Sequence, residues 1–277
     1  MISVLVPAYN ESECIEANLL ETVLTLSALE VPFELIVVDD GSADDTHLSA
    51  LKARSLRPDV IRVVRVLLNQ GKGNALMAGF RYCRGDRIVF LDADMDLHPA
   101  QIANLLEIMD ETNADVVVGS KRHPQSSVSY PRIRRVYSQC YYMMVHLLFG
   151  VPVRDTQAGL KIFKTEVLRR VFPRILAKRF AFDIEVLANA HRLGYRIVEA
   201  PIRLESWSSN RIGLRDCINV FQDTLAIFYR MSILHYYDKC HSDYFATEPP
   251  PTVREELEVA APTAVADDAK VLSSRER

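Results

Sequence analysis

Glu34-Leu35-Ile36-Val37-Val38 runs straight into Asp39-Asp40-Gly41-Ser42, so a short run, apolar from Leu35 on, stops on two carboxylates and a turn. A strand buried on both faces reads this way, and the acids mark the end where it leaves the core. The same pattern recurs on either side. Ile2–Val6, Ile61–Leu67, Arg87–Leu91 and Asp115–Val118 are brief and rich in Val, Ile and Leu. Helical patterns fill the gaps near 11–26, 43–55, 73–83 and 100–111, and Asn10 with Glu13 and Ser42 with Asp45 read as N-cap pairs for the first two. Such alternation predicts an α/β fold with a mostly parallel sheet covered by helices on both faces. Ligands of such sheets bind outside the carboxyl ends of the strands.

After Gly119 the character changes. Residues 133–149 form an aromatic, Met-containing helical pattern, 183–193 another, 196–204 a late strand and 214–237 a final helix with five aromatics. From Glu248, three prolines and then Ala, Glu and Ser lack the apolar content to fold. We therefore read one folded domain over 1–240, its first half spanning 1–120 and its second 121–240, and a disordered tail over 241–277.

Composition narrows the class. Of 277 residues, 49% are hydrophobic and 25% charged, as in a folded globular chain, and the net charge of -3 argues against a nucleic-acid partner. The five cysteines (Cys14, Cys83, Cys140, Cys217, Cys240) show no paired spacing, which fits a reducing cytoplasmic setting. No signal-peptide pattern is read at the N-terminus. The most apolar stretch, 141–153, is too short to span a bilayer, and lying on its surface stays open.

Three acidic motifs close predicted strands: Tyr9-Asn10-Glu11, Asp39-Asp40-Gly41-Ser42 and Asp92-Ala93-Asp94. Taken singly, Asp39–Ser42 reads equally well as a turn with a helix cap. Together they put several carboxylates in one cleft, which repels a phosphate unless a cation intervenes. Mg²⁺ or Mn²⁺ suits oxygen ligands and bridges to substrate phosphates. Neither a G-x-G-x-x-G nor a Walker loop is present, since Gly71-Lys72-Gly73 lacks the spacing. Lys72 is placed to reach the donor phosphates or an aspartate.

Val6-Pro7-Ala8-Tyr9-Asn10-Glu11, Val38-Asp39-Asp40-Gly41-Ser42, Asn69-Gln70-Gly71-Lys72-Gly73 and Asp92-Ala93-Asp94 resemble the successive motifs of glycosyltransferase family 2, the inverting enzymes with the GT-A fold. The resemblance implies that Pro7, Tyr9, Glu11 and Asp39 line the base and ribose, with Asn10, Asp40 and Lys72 in the same nucleotide-sugar set. It implies that Asp92 and Asp94 hold metal and diphosphate, with Asp96 a third candidate ligand. Gly119-Ser120-Lys121-Arg122, Arg154–Phe163 and Phe182-Asp183-Ile184-Glu185 resemble the polyprenyl-phosphate glycosyltransferases, and the dolichyl-phosphate glucosyltransferase type most. UDP-glucose is then the expected donor ahead of GDP-mannose, and a polyprenyl phosphate the expected acceptor. Two departures stand out: Lys121 replaces a commoner Arg, and Ser209-Asn210-Arg211 replaces Gly-Ser-Lys.

Residues 121–135 hold Lys121, Arg122, Arg132, Arg134 and Arg135 and no acid. Arginine forks suit phosphate, so Lys121, Arg122, Arg134, Arg135, Ser138 and Arg211 are the candidate acceptor-phosphate set; a solvated basic loop is the plainer alternative. The aromatic helix that follows is either core or an interfacial helix at the cytoplasmic membrane face. Asp155, Gln157 and Asp183 are candidates to face the sugar, although Asp183 equally reads as a helix cap, and Glu185 could face either way. Three functions remain: transfer to a lipid phosphate, transfer to a hydroxyl with Asp155 or Asp183 as base, and a nucleotide-sugar binding module without catalysis.

Overall fold

A computed structural model describes residues 1–126, 132–179, 181–204, 214–239 and 253–256, with backbone alone for 132–138, 214–218 and 254–256. The apolar runs form β1 (Ile2–Ala8), β2 (Phe33–Asp40), β3 (Ile61–Val66), β4 (Arg87–Phe90) and β5 (Val116–Ser120). Between them lie α1 (Ile15–Ser27), α2 (Thr46–Leu56), α3 (Lys72–Phe80) and α4 (Gln101–Thr112). The second half adds α5 (Arg132–Phe149), β6 (Lys161–Lys164), α6 (Thr165–Val171), α7 (Phe182–Arg192), β7 (Ile197–Pro201) and α8 (Leu214–Phe228).

One eight-stranded sheet runs in the order β7-β5-β6-β4-β1-β2-β3-β8, where β8 is Val253–Glu256. The pairs β1–β2, β1–β4, β2–β3 and β5–β7 are parallel; β4–β6, β5–β6 and β3–β8 are antiparallel. Alternation along each strand divides the core. Val4, Val6, Leu35 and Val37 point to α1, α2 and α4, while Leu5, Ile36 and Val38 point to α3, α7 and α8. Each fully buried Val, Leu or Ile contributes about 1.5–3 kcal/mol, so both faces are strongly specified. Strand order reverses at β1, with β2 on one side and β4 on the other, which is where a crevice opens at the carboxyl edge.

Four expectations are corrected. Asn10 and Ser42 cap no helix: α1 starts after Cys14 and α2 after Asp45, neither with a side-chain cap. Instead these short polar side chains lace the two loops together, Asn10 N–H donating to Ser42 Oγ (3.0 Å) and Ala43 N–H to Asn10 Oδ1 (3.0 Å). The final helix is broken, α8 giving way to a π turn at Tyr229–Ile233 and a 3-10 turn at Tyr236–Lys239. The tail is not structureless at 253–256, where β8 pairs with the otherwise open edge of β3 and buries Val253. An edge strand with unpaired amides is a template for such addition. The sequence also gave no warning of β6, which wedges antiparallel between β4 and β5.

Candidate active site

The carboxyl ends of β1, β2 and β4 deliver the three acidic motifs to one edge, with Ala8 paired to Asp39 and Leu5 to Phe90. The residues differ sharply in what they are free to do. Tyr9 is exposed, and Pro7 and Glu11 are half-buried, so all three can line a ligand. Asp39 is fully buried: Oδ1 accepts from Ser42 N–H (3.0 Å), while Oδ2 has no hydrogen-bond partner and faces Arg65 Nε at 3.4 Å and His47 Nδ1 at 3.8 Å. Asp40, expected in the nucleotide-sugar set, is also engaged within the protein. It is 3% exposed and its carboxylate accepts from Gln70 N–H (3.2 Å) and Gly71 N–H (2.7 Å), so it holds the turn before α3. Burial, against those two amides, still pushes its pKa up.

That turn aims Lys72. Gly71 sits at φ +102°, a conformation that favours glycine, and Lys72 Nζ donates to Asp92 Oδ1. Burial disfavours the charge on each partner but is outweighed: Asp92 holds the Lys72 pKa up at about 12, and Lys72, with Lys161 and Lys121, holds Asp92 below the ordinary carboxylate range. Asp94 lacks such help. Burial first, then Asp92, Asp96 and Glu11, push its pKa up to about 6. Met95, beside it, is held at φ +60°, rare for a non-glycine residue, and Asp96 N–H donates to Asp94 Oδ1 (3.1 Å). Among the described residues no three His, Cys, Asp or Glu side chains already converge as a metal set. Carboxylates gathered this closely, Asp92, Asp94 and Asp96, are nevertheless a fitting donor set for a hard cation, with substrate oxygens completing it.

The second half closes the site. Asp155 Oδ2 accepts from Lys121 N–H (3.1 Å) and Oδ1 from Gln157 N–H (3.1 Å), so this carboxylate shapes its own loop. Gln157 is exposed and reaches the Tyr141 hydroxyl (3.5 Å). Gly159, downstream in the same loop, packs its backbone on the Asp92 carboxylate. Asp183 does not cap α7; Oδ1 takes a 2.6 Å ion pair from Lys161, a lysine 1% exposed on β6 that also donates to Ala158 C=O. Lys161 went unnoticed in the sequence, yet a lysine inside an apolar strand demands a buried partner. Arg122 lies over the Tyr142 ring at 5.0 Å and bonds Gln139. Arg134, Arg135 and Ser138 fall on the first turns of α5, their side chains outside the described residues, as is Arg211 altogether.

An α/β sheet with this order and acids gathered at the carboxyl ends of β1, β2 and β4 defines a nucleotide-diphospho-sugar transferase of the GT-A type. The sequence profile of Glycosyl transferase family 2 matches residues 3–172. The chain belongs to that family and is a glycosyltransferase. It is 30% identical to glycosyltransferase AglD of Haloferax volcanii over 84% of this chain, spanning 38% of that relative's length. It is 31% identical to a dolichyl-phosphate beta-glucosyltransferase of Trichomonas vaginalis, covering 84% of this chain and 73% of the relative. Among solved structures, glucosyl-3-phosphoglycerate synthase from Mycobacterium tuberculosis, in complex with Mn²⁺, UDP-glucose and phosphoglyceric acid, superposes with a TM-score of 0.62 at 23% identity, over 82% of this chain and 79% of that one. Mannosyltransferase PcManGT of Pyrobaculum calidifontis, in complex with GDP-Man and Mn²⁺, gives 0.57 at 22% identity, over 91% and 66%.

Proposed function

We propose that the chain transfers glucose from UDP-glucose to a polyprenyl phosphate, with inversion, while lying on the cytoplasmic face of a membrane. An acceptor phosphate oxygen attacks the anomeric carbon; the bond from that carbon to the diphosphate breaks, and UDP leaves with the electron pair. Asp92 and Asp94, with Asp96 beside them, would hold Mg²⁺ or Mn²⁺, which offsets the charge gathering on the leaving diphosphate. Lys72 adds a fixed positive charge on the same side, and Tyr9, Pro7 and Glu11 offer the exposed surface for the nucleotide.

The observation that carries the acceptor choice is the state of the two candidate bases. Asp183 is tied to Lys161, and both Asp155 oxygens accept backbone N–H groups. A hydroxyl acceptor needs a base, whereas a phosphate monoester is already anionic near neutral pH. Two relatives that act on dolichyl phosphate by name, from Trichomonas vaginalis and Saccharomyces cerevisiae, support the same choice.

Membrane contact is supported by the outer face of α5 and α8. Met143 and Leu147 are exposed one turn apart on α5, and Phe221, Leu225 and Tyr229 succeed one another at four-residue spacing along α8 and the turn beyond it. The helices pack through Phe149 and Phe228, whose rings meet edge to face at 6.1 Å. Exposed apolar side chains on two packed helices, the first of which begins in a basic stretch of sequence, suit an interfacial face. Among the described residues no helix is long and apolar enough to cross a membrane. Incubating the protein with Mn²⁺, radiolabelled UDP-glucose and polyprenyl phosphate vesicles, then extracting lipid, tests the reading. Label in the organic phase is the expected result; UDP release with label only in water-soluble product would replace it with the hydroxyl-acceptor reading.

A further inference from the structure

Glu185 is a charged residue with no exposed surface, and the reaction as described does not use it. Its carboxylate is fully engaged. Oε2 accepts from Leu176 N–H (3.0 Å) and Ala177 N–H (2.7 Å); Oε1 accepts from the Tyr237 hydroxyl and from Arg230 Nη2 (3.3 Å). Arg230 Nε in turn donates to the Tyr237 oxygen (3.0 Å). One buried carboxylate thus ties α7 to the two turns that follow α8 and to the segment leading into α7.

That segment touches the turn that carries Lys72. Lys178 C=O accepts from Gly73 N–H (2.9 Å) and Asn74 N–H (3.4 Å), and Lys178 Nζ donates to Gln70 Oε1 (2.6 Å). A β-carbon on Gly71 would stand 2.6 Å from the same Lys178 carbonyl oxygen, so the two backbones are in direct contact. Asp40 grips Gln70 and Gly71 from the other side. The turn is therefore held between two carboxylates, Asp40 directly and Glu185 through residues 176–178.

We propose that Glu185 is a positioning residue for sugar transfer: it fixes residues 176–178, these fix the turn at Gly71–Asn74, and the turn sets where Lys72 stands against Asp92. The proposal rests on the donor reading above for its kinetic arm only. Losing a hold of this kind displaces a charged group without deleting it, and small misplacements near the reacting atoms are costly in rate. Were Glu185 merely stabilising, its loss would instead weaken the whole fold.

The test compares wild type, Glu185→Gln and the milder Tyr237→Phe by amide hydrogen exchange and by UDP-glucose turnover with Mn²⁺, each with and without Lys72→Ala. In Glu185→Gln, exchange should quicken at least tenfold both at 176–177 and at 71–74, with β1 and β2 unchanged; Tyr237→Phe should shift the same peptides less. Turnover should fall at least tenfold in Glu185→Gln, and adding that change to Lys72→Ala should cost almost nothing more, since both act by one route. Quickened exchange confined to 176–177, or spread evenly over the sheet, would overturn the proposal, as would losses that simply multiply. A wild-type chain that neither binds nor turns over UDP-glucose would instead refute the donor reading, leaving the exchange measurement to decide this one.

Discussion

A β-carbon built on Gly159 falls 1.8 Å from Asp92 Oδ2, so the loop ahead of β6 and the acid at the end of β4 are in van der Waals contact with no room between them. The first aspartate of the Asp92-Ala93-Asp94 motif is therefore held from two directions, by the Lys72 ammonium and by a glycine backbone. Gly159→Ala should turn that carboxylate aside. We expect turnover to fall about a hundredfold, as for an ångström-scale displacement, with near-native circular dichroism. A variant as active as wild type would mean that Asp92 can move without consequence.

Asp94 should matter through the cation. Asp94→Asn should abolish turnover and weaken donor binding only when Mn²⁺ is present, and chelation should bring wild type down to the same level. Calorimetric titration of UDP with and without the metal measures both effects, and turnover that survives chelation would remove the cation from the mechanism.

Asp44 offers a pH test of the loop scaffold. Burial slightly disfavours its charge, but hydrogen bonds from Thr46 and Ser12 outweigh this and bring its pKa down to about 2. A carboxylate depressed on folding stabilises the fold above its unfolded pKa of about 3.9 and loses that contribution as pH falls through the folded value. Wild type should lose stability between about pH 4 and 2 more steeply than Asp44→Asn. Thermal melts across that range would reveal parallel curves if the contacts carry no weight.

Arg134 is the acceptor test. It lies four residues before Ser138 on α5, so the two positions share a helix face. Arg134→Ala should raise the Michaelis constant for polyprenyl phosphate and leave donor affinity unchanged. One lost charge-assisted contact costs about 1.5–3 kcal/mol, or roughly ten- to more than a hundredfold in efficiency. Steady-state kinetics with lipid acceptor, alongside donor titration, decide it: a fall in donor affinity alone would move these arginines to the nucleotide.

The tail should stabilise without catalysing. A chain ending at His241 should fold and turn over substrate, but without Val253 on the core its stability should drop by about 1–2 kcal/mol, a few degrees in Tm. Loss of turnover would give the β8 segment a part in the site.

Much of this was legible in advance where the signal was local. Runs of four to seven residues rich in Val, Ile and Leu read as β1 to β5 because brief, nearly continuous apolar stretches suit strands buried on both faces. The acids after them read as a cleft because parallel strands end together. What escaped depended on distant partners. β6 is Lys-Ile-Phe-Lys, two apolar residues between charges, and becomes a strand only because β4 and β5 flank it and Asp183 meets Lys161. Asn10 and Ser42 carry the right chemistry for caps, yet find each other across thirty-two positions instead. Nothing local to Asp40 reveals the two amides, of Gln70 and Gly71 about thirty positions away, from which its carboxylate accepts.

The place of β6 bears on how the chain assembles during synthesis. β4 and β5 are neighbours in sequence but never pair; each meets the other only through β6, which is made some forty residues later. A nascent chain that has reached Ser120 can join β1, β2, β3 and β4, while β5 waits with both its edges bare. β5 joins the sheet only once β6, through Lys164, has left the ribosome, and its second edge is covered later still, by β7. Any pause in translation between these points would prolong the exposure of a valine-rich strand, so chaperone capture should peak over that interval.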